Sequence, residues 1–71
     1  MNKPIKIATE YIRLCDLLKF AGIAMSGGQA KEMILSGDVS VNGEICLLKG
    51  RKLRHGDTVT FDGDTYEVVV T

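Results

Sequence analysis

The sequence is poor in the residues that build metal sites and redox sites. It has no tryptophan, one histidine and two cysteines in 71 residues. Cys15 and Cys46 lie far apart, and neither has a second Cys or His nearby, so the spacing of a zinc or redox site is missing. We therefore predict no metal site and no cofactor, and we interpret both cysteines as reduced thiols in a cytoplasmic protein.

The residues that covalent catalysis needs are also scarce. The single histidine, His55, lies in a turn beside Gly56, and no serine of the chain has a nucleophile-elbow motif around it. The aspartates near the C-terminus fall at turns, where Asp is favoured because it hydrogen-bonds the local backbone. We predict that the protein is not an enzyme and has no catalytic residues.

Long apolar runs and closely spaced aromatic residues are missing as well. The apolar runs are a few residues long, as in Val68–Val70, whereas a membrane span needs about 20 residues. The N-terminus has no apolar stretch long enough for a signal peptide, so we predict no contact with a membrane. Two Tyr and two Phe are the whole aromatic supply, too few for the platforms on which some RNA-binding modules stack bases.

The chain carries no net charge, but its charges are unevenly distributed. Residues 1–54 contain all nine Lys and Arg and five acids, a balance of +4, whereas residues 55–71 contain four acids and no Lys or Arg. The densest basic segment places Lys49, Arg51, Lys52 and Arg54 within six residues. Composition alone leaves two interpretations open for this segment, a solvated loop or a surface for a polyanion.

The length leaves room for one small domain, residues 1–71, with a thin core. Apolar residues at i, i+3, i+4 and i+7 predict a first helix from about Arg13 to Ala21, which Gly22 ends. The inward-facing residues of this helix should be Leu14, Leu17, Leu18 and Ala21.

The second helix has a clear start signal. Residues 26–29, Ser-Gly-Gly-Gln, have the pattern of a capping box, in which the Ser and Gln side chains bond each other's backbone N–H groups. The helix should begin at Gly27, bury Ala30, Met33 and Ile34, and end before Gly37. With the loop at residues 22–25, the two helices have the outline of a helix-turn-helix.

The rest of the chain has the alternating pattern of strands. Residues 5–7 predict a short edge strand, and Val39 and Val41 followed by Asn42-Gly43 predict a type I′ hairpin whose return strand covers residues 44–48. A second hairpin is predicted over residues 58–70, and Leu53 is expected to reach the core. The predicted fold class is α+β, two short helices packed on a small, largely antiparallel sheet.

Two glycines follow the capping serine. Gly27 and Gly28 lower the helix propensity of the first turn but leave its N–H groups sterically open. They suit either a phosphate contact at the helix N-terminus or close packing of the helix on a neighbour. They do not form a P-loop, because the Gly-Lys-Ser/Thr ending is missing.

The order and spacing of these motifs resemble a known family. The pattern runs through Leu14-x-x-Leu17-Leu18, Ser26-Gly27-Gly28-Gln29-Ala30-Lys31, Gly37-Asp38-Val39-x-Val41-Asn42-Gly43-Glu44, Gly50-Arg51-Lys52-Leu53 and Gly56-Asp57. It is similar to the RNA-binding domain first described in ribosomal protein S4, the αL motif, and especially to its small stand-alone bacterial members of the YaaA/YbcJ type. The resemblance covers about residues 11–70.

The resemblance implies that RNA is held across the two helices and the loop beside the first hairpin. The contacts it implies are Arg13, Ser26, Gly27, Gly28, Gln29, Lys31, Lys49, Arg51, Lys52 and Arg54. From charge and position alone we add Lys19, near the end of the first helix, as a cation that borders the same groove. The chain departs from many members at Gly27, where they have arginine, and at residues 46–48, which are often more polar in stand-alone members.

These observations favour a non-catalytic RNA-binding protein that recognises structured RNA, ribosomal or transfer RNA, through phosphate contacts. The expected partners are therefore RNA and a ribosomal or RNA-processing protein. A helix-turn-helix DNA-binding protein is the first alternative, although the densest basic segment lies outside the second helix. A protein-interaction module is the second alternative, and it requires Leu47 and Leu48 to be exposed.

Overall fold

The computed structural model describes residues 2–71. Within this range the chain forms two helices and seven strands. In chain order the elements are β1 (Asn2–Ile7), β2 (Tyr11–Arg13), α1 (Leu14–Phe20), α2 (Gly27–Leu35), β3 (Val39–Val41), β4 (Glu44–Ile45), β5 (Lys52–Arg54), β6 (Thr58–Phe61) and β7 (Asp64–Val70). The predicted fold class is confirmed.

The strands form two sheets of different size. The larger has the order β1-β7-β6-β3-β4, and all of its pairs are antiparallel except the parallel pair of β1 and β7. β1 lies at one edge of this sheet, as predicted, which suits Pro4 because proline lacks a backbone N–H. The smaller sheet is an antiparallel ribbon of β2 and β5, neither of which was predicted as a strand.

Both hairpins have type I′ geometry, in which both central residues have positive φ, and this turn type was predicted for the first of them. The φ angles are 52° at Asn42 and 87° at Gly43, and 52° at Asp62 and 82° at Gly63. Asn and Asp are among the few non-glycine residues that tolerate this region. The Asn-Gly and Asp-Gly pairs therefore determine where the chain reverses.

The return strand of the first hairpin is shorter than the predicted residues 44–48. β4 ends at Ile45, although the Cys46 N–H still donates to the Val39 carbonyl at 3.0 Å and the Cys46 side chain is buried. Beyond Cys46 the chain leaves the sheet edge, and the carbonyls of Lys49 and Arg51 accept hydrogen bonds from the first N–H groups of α1. Leu47 and Leu48 are consequently exposed.

The two helices differ from their predicted forms in details. α1 is one residue shorter at each end, and Ala21 and Met33 are only partly buried. In the capping box, the Ser26 hydroxyl accepts from the Gln29 N–H at 3.2 Å, as predicted. The Gln29 side chain, however, accepts from the Met25 N–H at 2.7 Å and not from that of the capping serine.

The core lies between the helices and the larger sheet. Its fully buried large side chains come from every layer: Leu14, Leu17, Leu18, Ile34, Val39, Val41, Leu53, Val59 and Val68. Leu53 confirms the prediction that the basic segment contributes to the core. Because Leu53 is buried, the residues on either side of it in β5 must face away from the core.

Candidate functional site

The β2–β5 ribbon arranges basic side chains on the protein surface. Its register pairs Arg13 with Lys52, Ile12 with Leu53 and Tyr11 with Arg54. Lys52 and Arg54 are exposed on either side of the buried Leu53, as the alternation of a strand requires. The ribbon thus places a cation of β2 directly beside a cation of β5, from parts of the chain that are distant in sequence.

The basic loop before β5 is anchored to the N-terminus of α1. The first helical N–H groups, those of Leu14 and Cys15, donate to the carbonyls of Arg51 and Lys49 at 2.9 and 3.1 Å. Arg13 occupies the N-cap position, but its side chain makes no capping hydrogen bond. The loop therefore takes the place of a capping side chain, and its backbone is held in position rather than freely solvated.

The start of α2 has two backbone donors that the fold does not use. Ser26 satisfies the N–H of Gln29, but within residues 2–71 the N–H groups of Gly27 and Gly28 have no hydrogen-bond acceptor. An added Cβ at Gly27 would meet nothing within 4 Å, and one at Gly28 would meet only the Ser26 hydroxyl at 3.9 Å. Close packing within the chain therefore does not explain these glycines, and their N–H groups are open to a ligand.

These elements meet around one groove with a volume of about 620 Å³. We call it the cationic groove, and its lining residues are Arg13, Cys15, Gly27, Gly28, Lys31, Lys49, Gly50 and Lys52. The lining contains four cations and no carboxylate. The positive end of the α2 helix dipole adds to the positive electrostatic potential of the groove.

The four cations of the cationic groove are not neutralised by neighbours. The ion pairs in residues 2–71 are Lys3 with Asp64 at 3.7 Å and Lys19 with Asp16 at 3.4 Å, and neither involves the groove. Both pairs are solvent-exposed, and such pairs contribute little to stability. The groove therefore presents concentrated positive charge to an anionic ligand.

The structure brings most of the predicted contact residues together, with informative exceptions. Six of them line the cationic groove, while Ser26 and Gln29 form the N-terminal cap of α2. Arg51 lines a neighbouring apolar pocket, and Arg54 lies beside the Tyr11 ring. Lys19 is not among the groove-lining residues, and its ammonium pairs with Asp16 at 3.4 Å, so its role as an RNA contact stays a prediction.

Three residues of this surface were not among the predicted contacts. Cys15 and Gly50 line the cationic groove, and the Tyr11 ring has the Lys52 ammonium 5.0 Å and the Arg54 guanidinium 5.8 Å from its centroid. Cation–π contacts of this kind hold cations over an aromatic face. Tyr11 and Arg13 share a face of one strand, but a three-residue strand is too short to produce a recognisable alternation.

Two negative findings apply to the part of the chain that the structure describes. Within residues 2–71 no group of three or more His, Cys, Asp or Glu side chains is arranged to hold a metal ion. In the same range, neither α1 nor α2 has the length and apolar character that a membrane-crossing helix requires.

Comparison with known proteins gives consistent matches. The model of the S4 domain family matches residues 5–69. The chain is 44% identical over 59 residues to YbcJ of Escherichia coli K12, a protein named for a proposed RNA-binding role, and the match covers 83% of this chain and 84% of YbcJ. It is 43% identical over 70 residues to RlbA of Bacillus subtilis 168, a protein named for a proposed role in ribosome maturation. This match covers 97% of this chain and 99% of RlbA.

A solved structure has the same fold. The solution structure of YbcJ from E. coli, described as revealing an αL motif involved in RNA binding, superposes with a TM-score of 0.68 at 38% identity. The match covers 97% of this chain and 86% of the YbcJ chain.

Proposed function

From the premise that the chain belongs to the S4 domain family, we propose that it is a non-catalytic RNA-binding protein. Residues 1–71 act as a single domain, and the cationic groove holds the phosphate backbone of a structured RNA in the cytoplasm. Ribosomal RNA is the proposed class of RNA, with transfer RNA as the second candidate. The name of RlbA, which refers to ribosome maturation, supports the first.

One observation carries this proposal. Four cations and the open N–H groups of Gly27 and Gly28 face one groove that contains no carboxylate. Phosphate oxygens accept hydrogen bonds from helix N-terminal N–H groups and pair with Lys and Arg, so a single phosphate backbone satisfies both kinds of group. The remaining predicted contacts, Arg51 and Arg54, extend the same surface along the loop and β5.

The aromatic residues favour structured RNA over an unstructured strand. Tyr66 is buried, and neither Tyr11 nor the exposed Phe20 is among the residues that line the cationic groove, so the groove itself has no aromatic ring on which to stack a base. Recognition of single strands usually depends on such stacking, whereas folded RNA is recognised through shape and phosphate contacts. The contact set here is therefore suited to a helical or otherwise folded RNA.

A helix-turn-helix DNA-binding function fits the surface less well. In that mode α2 would enter the major groove and supply the base contacts. Lys31 is the single cation that α2 contributes, and the other cations of the groove come from β2, the basic loop and β5. The charge therefore lies beside α2 and not along it.

A salt titration tests the proposal. Binding of a labelled ribosomal RNA hairpin is measured at several salt concentrations, with duplex DNA of the same length as competitor. If about four to six cations contact phosphate, the logarithm of the affinity falls with the logarithm of salt at a slope of about −3 to −5. Stronger competition by the DNA duplex than by the unlabelled RNA would contradict the proposal.

Paired variants locate the binding surface. Replacing Lys49 and Lys52 by alanine should make the salt slope shallower by about 1.5 units, because each lost phosphate contact removes about 0.7 to 0.9. Lys6→Ala is the matched control, since Lys6 is an exposed cation on β1 and does not line the groove. An unchanged slope in the double variant would reject the assigned surface.

A further inference from the structure

An apolar pocket lies next to the cationic groove and is not explained by phosphate binding. It has a volume of about 490 Å³, and its lining residues are Lys31, Leu35, Leu47, Leu48, Lys49, Gly50 and Arg51. The three leucines are exposed by 57%, 54% and 68%, respectively. Burial of an apolar side chain is favourable, and each exposed leucine lacks this contribution. Three exposed leucines around one pocket therefore indicate a surface that a partner covers.

The leucines are held in place rather than carried on a loose loop. Leu35 ends α2, and the segment that carries Leu47 and Leu48 is fixed at both ends. On one side Cys46 is buried and its N–H donates to the sheet, and on the other the Arg51 N–H donates to the Leu48 carbonyl at 3.2 Å. The pocket is thus preformed, which lowers the entropic cost of binding.

The rim of the pocket indicates the charge of the partner. Lys31, Lys49 and Arg51 line the pocket together with the leucines, the lining contains no acidic residue, and none of these three cations makes an ion pair within residues 2–71. A second copy of this pocket would bring like charges together around the leucines, which disfavours a symmetric dimer. An acidic partner is attracted instead.

The lining also discriminates between protein and RNA as the occupant. RNA bases are recognised by stacking on aromatic or guanidinium planes and by hydrogen bonds to their edges. Of these groups the pocket lining has one guanidinium, from Arg51, and its apolar side chains are the three leucines, which are aliphatic. Aliphatic side chains of a protein suit the leucines better than polar base edges do.

We propose that this pocket docks an acidic, leucine-bearing segment of a partner protein, whose apolar side chains contact Leu35, Leu47 and Leu48 and whose carboxylates pair with Lys31, Lys49 and Arg51. The proposal does not depend on the RNA-binding function. Since Lys31 and Lys49 line both the pocket and the cationic groove, the site of the partner overlaps the one proposed for RNA.

The test uses a labelled helical peptide of about four turns, with leucine on one face and glutamate elsewhere. We expect saturable binding by fluorescence anisotropy and shifts of the Leu35, Leu47 and Leu48 methyl signals in NMR spectra. Two control peptides separate the contributions, one with serine in place of leucine and one with lysine in place of glutamate. Both controls should bind at least about tenfold more weakly, and equal binding by either would overturn the proposal.

Variants of the protein complete the test. The double variant Leu47→Ser, Leu48→Ser should lose roughly tenfold or more in peptide affinity, because two apolar contacts are removed. Met25→Ser is the control, since Met25 is 92% exposed and does not line the pocket. The replaced leucines are exposed, so both variants should fold, and a circular dichroism melt verifies this.

Three further results would also overturn the proposal. The first is absence of peptide binding to the wild-type protein. The second is a dimer in sedimentation analysis that the double leucine variant converts to a monomer, because a second copy would then cover the pocket. The third is an equal loss of affinity for the RNA hairpin in the same variant, because RNA would then occupy it.

Discussion

The cationic groove and the C-terminal hairpin of β6 and β7 differ in charge and in how their polar groups are used. In the turn that precedes the hairpin, the Asp57 carboxylate accepts from the Arg54 N–H at 2.8 Å and from the Asn42 side-chain amide at 3.2 Å. Asp64 pairs with Lys3, and the hydroxyls of Thr60 and Thr65 are 3.1 Å apart across the two strands. These polar groups are engaged by the fold.

In the cationic groove, by contrast, the cations and the first N–H groups of α2 have no such partners in the described part of the fold. Its four cations have no acidic partner within residues 2–71, and the N–H groups of Gly27 and Gly28 have no acceptor there. Groups that the fold does not use are available for binding. The comparison therefore predicts that substitutions in the groove change RNA affinity and not stability, and that substitutions in and around the hairpin do the reverse.

Charge reversal in the groove should give the largest effect. Replacing Lys31 and Lys52 by glutamate removes two phosphate contacts and adds repulsion, so the affinity for the RNA hairpin should fall roughly 100-fold or more at low salt. The urea midpoint should hardly change, because both side chains are exposed. Lys6→Glu serves as the control for net charge. An equal loss of RNA affinity in that variant would show that the overall charge of the protein, and not a specific site, determines binding.

Loss of Asp57 tests the hairpin side of the comparison. Asp57→Ala removes the acceptor of two hydrogen bonds and should lower the free energy of unfolding by about 1 kcal/mol, measured by urea denaturation. Asp64→Ala removes a similar charge from an exposed ion pair and should cost at most about 0.5 kcal/mol. Equal effects of the two variants would show that charge, and not the hydrogen bonds, is responsible.

Two glycine substitutions give the smallest but most selective contrast. Gly27→Ala should leave stability unchanged or raise it by up to about 1 kcal/mol, because its φ is ordinary and the added Cβ meets nothing, while RNA affinity falls a few-fold. Gly63→Ala also meets nothing within 4 Å, but its φ of 82° makes alanine unfavourable by about 1 kcal/mol. Its RNA affinity should be unchanged.

For both glycine variants, thermal melts measure stability and fluorescence anisotropy titration measures RNA affinity on the same samples. If Gly27→Ala binds RNA as tightly as the wild type, the N–H groups at the start of α2 do not contact the phosphate backbone. The proposed role of that helix end would then be rejected, while the role of the cations would still be tested by the charge reversal.

Much of the fold could be predicted because its signals are local. The Ser26 cap, the Asn42-Gly43 turn and the helical spacing of Leu14, Leu17 and Leu18 each act within a few residues. Local backbone preferences determine them before any tertiary contact forms. The reciprocal bond of the capping box and the length of β4 were predicted incorrectly, because neighbouring chain segments compete for the same backbone groups.

The candidate site could be predicted in part. The residue types and the basic segment were visible, and so was the unusual Gly27-Gly28 pair. The two explanations of that pair could be separated only by the space around each Cβ. Likewise Lys19 and Lys31 have equal charge, but only one of them faces the groove.

The sequence by itself determined the helices, the two type I′ turns, the opposite charges of its two parts and the presence of unusual glycines, because these follow from residue type and short spacing. Only the tertiary structure decided that β2 pairs with β5, that the carbonyls of the basic loop cap α1, and that Arg13 and Lys52 share a groove with the start of α2. The physical reason is that strand register sets which side of a strand faces the core, and register is a long-range property. A shift by one residue would have buried Lys52 and exposed Leu53.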